Sequence, residues 1–277
     1  MSAFPDSTYS PAARTCLAEQ AKILCDEAEA NNLDMVQRWP RWYTCSLCEQ
    51  QYYGVVRCAL GWACWKTYVG RPEADVDRRF AFTELGNGLY EANRFAEALT
   101  VGEAELSTTR RLDASEGALL ILQGNLASTY QRLGRLEETL RLKRDVYSGW
   151  MKLNGDQHEE TLSAANNYAA SLLDLKRFEE AKALLRKTIP VARRVLGEGD
   201  RITLTIRKIY AEALYADPAA TLDDVREAVR TLEELERTAR RVFGGAHPLT
   251  TWTERRLREA RAALRAREAP PSSSGGA

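Results

Sequence analysis

One pattern, written twice at a spacing of 42 residues, constrains this chain more than any other feature. Gly124-Asn125-Leu126-Ala127 returns as Asn166-Asn167-Tyr168-Ala169. Arg135-Leu136-Glu137-Glu138-Thr139 returns as Arg177-Phe178-Glu179-Glu180-Ala181, and Leu153-Asn154-Gly155-Asp156 as Val195-Leu196-Gly197-Glu198. Self-similarity at a fixed period of roughly 20 to 50 residues marks a stacked array, in which no unit buries its apolar face alone. Such an array fixes the kind of surface a protein presents and leaves its ligand open.

The pattern extends in both directions. A first copy spans about 76–112, marked by Leu85, Gly86, Leu89, Phe95 and Ala98. The second spans about 115–154 and the third about 158–196. A fourth spans about 200–243, with Tyr210, Ala211, Leu214, Val225 and Ala228, and a five-residue insertion around Asp217-Pro218 lengthens its turn. A last helix from about Pro248 to Arg267 has no partner and closes the array. The spacing has a packing cause: antiparallel helices approach closely only where one presents a small side chain. Ala127 is placed opposite Thr139 and Ala169 opposite Ala181, while Tyr130 and Leu172 fill the seams.

This arrangement of small and large positions resembles the tetratricopeptide (TPR) repeat over roughly residues 76–250. The linkers 153–161, 196–203 and 243–250 share glycine, then His or Asp, then Thr. With the 42-residue period and the Asn-Leu-Ala or Asn-Tyr-Ala of each first helix, they resemble the kinesin light chain type of repeat. The resemblance implies an all-α, right-handed α-solenoid of four antiparallel helix pairs over residues 73–267. It also implies a non-catalytic scaffold that binds a protein or peptide ligand in a concave groove lined by first helices. On that alignment the inward positions are Thr83, Asn87 and Tyr90, then Asn125, Ser128 and Arg132, then Ser163, Asn167 and Ala170. Asparagine suits the task because its amide both donates and accepts to an extended backbone; the alternative is that Asn125 and Asn167 bridge helices within the array. Asn87 and Asn125 also match the asparagines of the TPR carboxylate clamp for chaperone C-termini. The clamp's basic positions are Thr83, Ser163 and Asn167 here, which excludes that ligand.

Local physics supports the linker reading. Glycine at a helix end suits the left-handed C-cap, and Asp156, His158 or Asp200 can then cap the next helix. His158 and His247 recur because the repeat recurs, so local capping accounts for them better than catalysis. The carboxylate pairs Glu137-Glu138, Glu179-Glu180 and Asp223-Asp224 favour the N-termini of second helices, and Arg110-Arg111, Arg193-Arg194, Arg240-Arg241 and Arg255-Arg256 are placed to favour C-termini. No glycine-rich phosphate loop, Gly-x-Ser-x-Gly or His-Glu-x-x-His occurs, so nothing points to an enzyme.

Composition sets further bounds. Acidic and basic residues number 39 each, so net charge offers no attraction for nucleic acid or an anionic membrane. No apolar run approaches the roughly 20 residues that span a bilayer, and the start lacks a secretory signal. An intracellular, cytoplasmic protein with reduced thiols is expected. All six cysteines lie in the first 64 residues, which sets a cysteine-bearing segment, 1–72, apart from the repeats.

Within that segment, Pro11 to Asn31 reads as a helix with Ser10 as its cap, and Val55, Cys58, Trp62 and Trp65 follow the spacing of a buried helical stripe. Cys45-x-x-Cys48 has the spacing of a zinc knuckle. With Trp42 before it and Cys16 upstream, it resembles the C-terminal half of a RING-CH (RINGv) zinc finger. That resemblance implies metal ligation by Cys16, Cys45 and Cys48, an incomplete set that Cys58 or Cys64 could extend. Ala13 stands at the finger's histidine position and the earlier cysteine pairs are missing, so ubiquitin-ligase activity does not carry over. The competing reading is buried structural thiols without a cofactor. Residues 268–277, rich in Pro, Ser and Gly, are expected to be a disordered tail.

Overall fold

The computed structural model describes residues 11–45 and 47–268. Ser10, the expected cap, and the tail beyond Glu268 lie outside them. Among the described residues the protein is all-α, with one isolated bridge between Thr44 and Gln51, and within each of two units successive repeat helices pack as in TPR-like solenoids. No helix there is long and apolar enough to cross a membrane. Packing divides the chain into two compact units, Met1–Arg135 and Leu136–Ala277.

The first unit contains α1 (Pro11–Ala30), α2 (Met35–Arg38), a 3-10 turn (Trp39–Trp42), α3 (Gly54–Tyr68), α4 (Val76–Glu91), α5 (Phe95–Arg111) and α6 (Glu116–Arg132). Pro40 sits in the first turn of the 3-10 segment, where its missing N–H costs nothing. Trp42 is completely buried beside Trp39, Cys25, Cys64 and Tyr68, a small core that joins α1 to α3. The expected stripe on α3 holds only in part: Cys58 is buried and Trp65 packs half-buried against the core, but Trp62 is exposed at 37%, and the other buried positions are Val56, Arg57, Leu60, Gly61, Cys64 and Tyr68. The cause is Gly61. It lets α3 lie against α4 so closely that a Cβ there would sit 2.6 Å from the carbonyl oxygen of Glu84. Gly88 of α4 does the same in return, 2.8 Å from the carbonyl of Arg57. Two glycines thus aim the helix by its backbone rather than by its large side chains. A consequence is that α3 and α4, which flank the compositional boundary at 72/73, share one packed contact.

The second unit contains α7 (Leu136–Asn154), α8 (Glu159–Asp174), α9 (Phe178–Val195), α10 (Arg201–Ala216), α11 (Leu222–Phe243) and α12 (Pro248–Glu268). Ala169 and Ala181, placed opposite each other by the repeat, are both fully buried where α8 packs on α9. Leu185, Ile206 and Leu214 are fully buried in the same core as Ala169, each contributing about 1.5–3 kcal/mol of apolar burial.

Helix ends follow the linker chemistry. Asp200 accepts from the N–H groups of Ile202 (2.7 Å) and Thr203 (3.3 Å). The Nδ1 atoms of His158 and His247 accept from Glu160 and Leu249, each at 3.2 Å, so both histidines are caps. Gly155, Gly197 and Gly244 adopt φ of 78°, 93° and 82°, the left-handed region in which a side chain is disfavoured. The three carboxylate pairs occupy first turns of α7, α9 and α11, and Arg110-Arg111, Arg193-Arg194 and Arg240-Arg241 occupy last turns. Arg255-Arg256 lies inside α12 instead. The turn around Asp217-Pro218 is five residues in all, residues 217–221, against three at 175–177. Two of the five inserted residues therefore lengthen the turn, and the other three add to the start of α11, where Val225 matches Phe178.

Candidate functional site

Small residues open a cavity among α4, α5 and α6. Gly86, Ala98 and Gly102 leave about 310 Å³ between the helices. Five of the expected inward residues, Thr83, Asn87, Tyr90, Asn125 and Ser128, line this one space. Asn125 is exposed at its mouth, Asn87 and Tyr90 are half-buried, and the Ser128 hydroxyl donates to the carbonyl of Gly124 at 3.2 Å. Tyr90 is fixed by an edge-on contact with Phe95 at 5.4 Å between ring centres. The amides of Asn87 and Asn125, from consecutive first helices, therefore converge on one hollow. No Lys or Arg lines it.

The charged groups at the cavity are carboxylates. Glu91 is exposed at the edge, and Glu105 of α5 is buried in the wall with 8% of its surface accessible. The Thr83 hydroxyl donates to Glu105 Oε1. Burial pushes the Glu105 carboxyl up to about 7, and the neighbouring Glu84 charge adds to the shift while the Thr83 bond opposes it. Sequence reasoning passed over Glu105 because it assigned groove lining to first helices alone. A signal was present: Ala98, Gly102, Glu105 and Thr109 recur at helical spacing on α5, which places a carboxylate in a small-residue stripe.

A second hollow of about 380 Å³ adjoins the first and shares Asn87, Tyr90 and Glu91 with it. Its other walls are aromatic: Trp39, Tyr43, Tyr52, Tyr53 and Phe80. Phe80 (45%) and Tyr53 (55%) remain exposed. Arg57 lies over the Tyr43 ring at 5.0 Å and pairs with Glu84 of α4, so the N-terminal segment and the first repeat build this wall jointly.

The remaining expected residues fall elsewhere. Arg132 reaches Asn93 Oδ1 at 3.2 Å and stacks over Phe95 at 4.7 Å. Asn167 lies in the second unit, exposed, with its Oδ1 accepting from Asn166 at 3.4 Å. Cys45 and Cys48 share a tight turn, where the Cys45 N–H donates to Gln50 O at 2.8 Å. Backbone N–H groups of Leu47 and Cys48 hold the Cys45 thiol below the usual range. Cys16 is exposed on α1, and Cys25, Cys58 and Cys64 are buried. Among the described residues no three His, Cys, Asp or Glu side chains cluster as a metal would require, so Cys16 does not join Cys45 and Cys48.

A tetratricopeptide repeat family model matches residues 118–194. Among solved structures, the chain is similar to the nearly identical TPR-like repeats of a kinesin light chain-like protein from Podosopora anserina. The TM-score is 0.56 at 18% identity, covering 83% of this chain and 98% of that one. BtubC (BKLC) from P. vanneervenii gives a TM-score of 0.50 at 14% identity, covering 96% and 97%. The apo form of RapI gives 0.51 at 12% identity, covering 94% and 87%. No curated protein sequence matches the chain significantly. At these identities the likeness establishes the fold alone: a TPR-like helical array.

Proposed function

We propose that this protein is a non-catalytic interaction scaffold whose array, residues 73–267, captures a peptide or helix of a partner protein on the face formed by α4 and α6. One observation carries the reading: Asn87 and Asn125 line a single open cavity with Tyr90 and Ser128 beside them. Amides at this spacing can pair with the backbone of an extended segment, giving affinity without demanding a sequence. The aromatic hollow next to it supplies an apolar anchor site, the kind of pocket that concentrates binding energy. The segment 1–72 then serves as one wall of the binding face. Nothing in the site requires a metal, cofactor or nucleic acid.

The experiment is site-specific photocrosslinking from positions 87 and 125, with position 163 as comparison, followed by identification of the crosslinked peptides. The reading expects one partner segment crosslinked from both 87 and 125 and lost in the Asn87→Ala/Asn125→Ala protein when the crosslinker is moved to Tyr90. Crosslinks that are equally abundant after the double substitution would remove the groove as the binding site.

A further inference from the structure

We propose that the α4–α5–α6 cavity is a socket for a single basic side chain of the bound segment, with Glu105 as the counter-charge at its base. The inference rests on the groove reading and adds the chemistry of its ligand. The cavity is lined by polar and apolar groups alike, is open to solvent, and at about 310 Å³ is large enough for a lysine or arginine side chain. Its two ionisable carboxylates, Glu105 within and Glu91 at the rim, have no basic residue beside them in the lining. Glu105 is more than nine-tenths buried, and its hydrogen-bond donor among the described residues is a neutral hydroxyl, Thr83. A carboxylate in that position is costly unless a cation reaches it. Asn87 and Asn125 supply side-chain carbonyl oxygens that can accept the remaining protons of an ammonium or guanidinium. The polarity is opposite to that of a carboxylate-binding clamp.

The groups that face Glu105 are few. From α4 come Glu84, committed to Arg57 of α3, with Tyr90 and Glu91; from α6 come the uncharged Leu122, Asn125 and Thr129. Capture therefore follows the ionisation of Glu105, which burial has moved to about 7.

The test uses the full chain and four degenerate nonapeptide pools with a fixed central Lys, Arg, norleucine or Glu, measured by fluorescence anisotropy. Expected is binding of the Lys or Arg pool at least tenfold tighter than the norleucine and Glu pools. That preference should strengthen about tenfold from pH 6 to pH 8, as a group titrating near 7 requires. Glu105→Gln should abolish the preference and its pH dependence, and Glu159→Gln, exposed on α8, should leave both intact. Equal affinity for all pools, with loss of all binding in Asn87→Ala/Asn125→Ala, would overturn the socket while sparing the groove. Failure of every pool to bind overturns both.

Discussion

Arg57 of α3 and Glu84 of α4 form an ion pair in which each residue keeps only 7% of its surface accessible. Arg57 also donates to the carbonyl of Trp42 at 3.3 Å and lies over the Tyr43 ring. The pair ties the N-terminal segment to the first repeat in surroundings where neither charge can be left alone. Replacing Arg57 with Met should cost about 3–5 kcal/mol, because Glu84 is then buried without a partner. The double replacement Arg57→Met/Glu84→Leu should recover most of that loss. Urea denaturation of the three proteins checks this; a single variant within about 1 kcal/mol of wild type would contradict it.

Glu105 gives the protein a pH dependence of defined sign. Its carboxyl is raised in the folded state from 4.5 to about 7, so between those values the folded form holds a proton that the unfolded form has released. Stability therefore falls as pH rises through that window and levels off above it. Glu105→Gln keeps an acceptor for Thr83 and removes the buried charge. It should be up to about 3 kcal/mol more stable than wild type at pH 8 and nearly equal to it at pH 4. Melting temperatures across that range are the measurement, and parallel pH curves for the two proteins would refute the assignment.

The α3–α4 crossing depends on two absent side chains. Gly61→Ala or Gly88→Ala places a methyl group against fixed backbone, 2.6 Å from Glu84 O or 2.8 Å from Arg57 O, and should cost about 1–3 kcal/mol. Gly124, inside α6, has nothing within 4 Å of its notional Cβ. Gly124→Ala should instead stabilise the protein by about 0.5–1 kcal/mol. Thermal unfolding of the three variants separates close approach from mere helix propensity.

Lys176 carries φ of 57° in the turn between α8 and α9, where the turn between α6's end and residue 136 has Gly134 at 73°. A side chain in this region costs about 1–2 kcal/mol, partly offset by the flexibility glycine adds to the unfolded chain. Lys176→Gly should therefore stabilise by roughly 0.5 kcal/mol, and Gly155→Ala should destabilise. Calorimetry on the pair would show opposite shifts in Tm.

The thiols should react in order of environment. Cys45, half-buried and favoured as thiolate by two backbone N–H groups, should be alkylated before Cys25, which burial raises to about 11, and before Cys64, which burial raises further. Timed iodoacetamide labelling with peptide mapping reads the order directly. Early modification of Cys64 would mean that the small core around Trp42 opens readily.

Much of this protein was legible in its residues because repeat structure is local. Helix ends are set by caps and glycines within a few positions of one another, so Asp200, His158, His247, Gly155, Gly197 and Gly244 could be assigned before any packing was known. Their burial follows the same logic: Ala169 and Ala181 recur at a spacing that only a close helix pair uses. The candidate groove was half legible. Asn87, Tyr90, Asn125 and Ser128 follow from the period, which carries a first-helix position from one repeat to the next.

What the residues could not give are the relations that cross between helices without a repeat to announce them. The face that α3 buries was decided by Gly61 meeting the backbone of Glu84, an approach no spacing within α3 encodes. The aromatic hollow joins Tyr43, Tyr52 and Tyr53 to Phe80 and Tyr90, residues from separate elements with no common period. Cys16 and the Cys45–Cys48 turn share a plausible order in sequence, yet α1 and the turn hold them apart. The sequence by itself determined the helices and their ends, since those arise from hydrogen bonds and side-chain volumes a few residues apart. Tertiary structure alone decided that Asn87, Tyr90, Asn125 and Ser128 share one cavity with a buried carboxyl, because the proton affinity of Glu105 depends on how α4, α5 and α6 together exclude water from it.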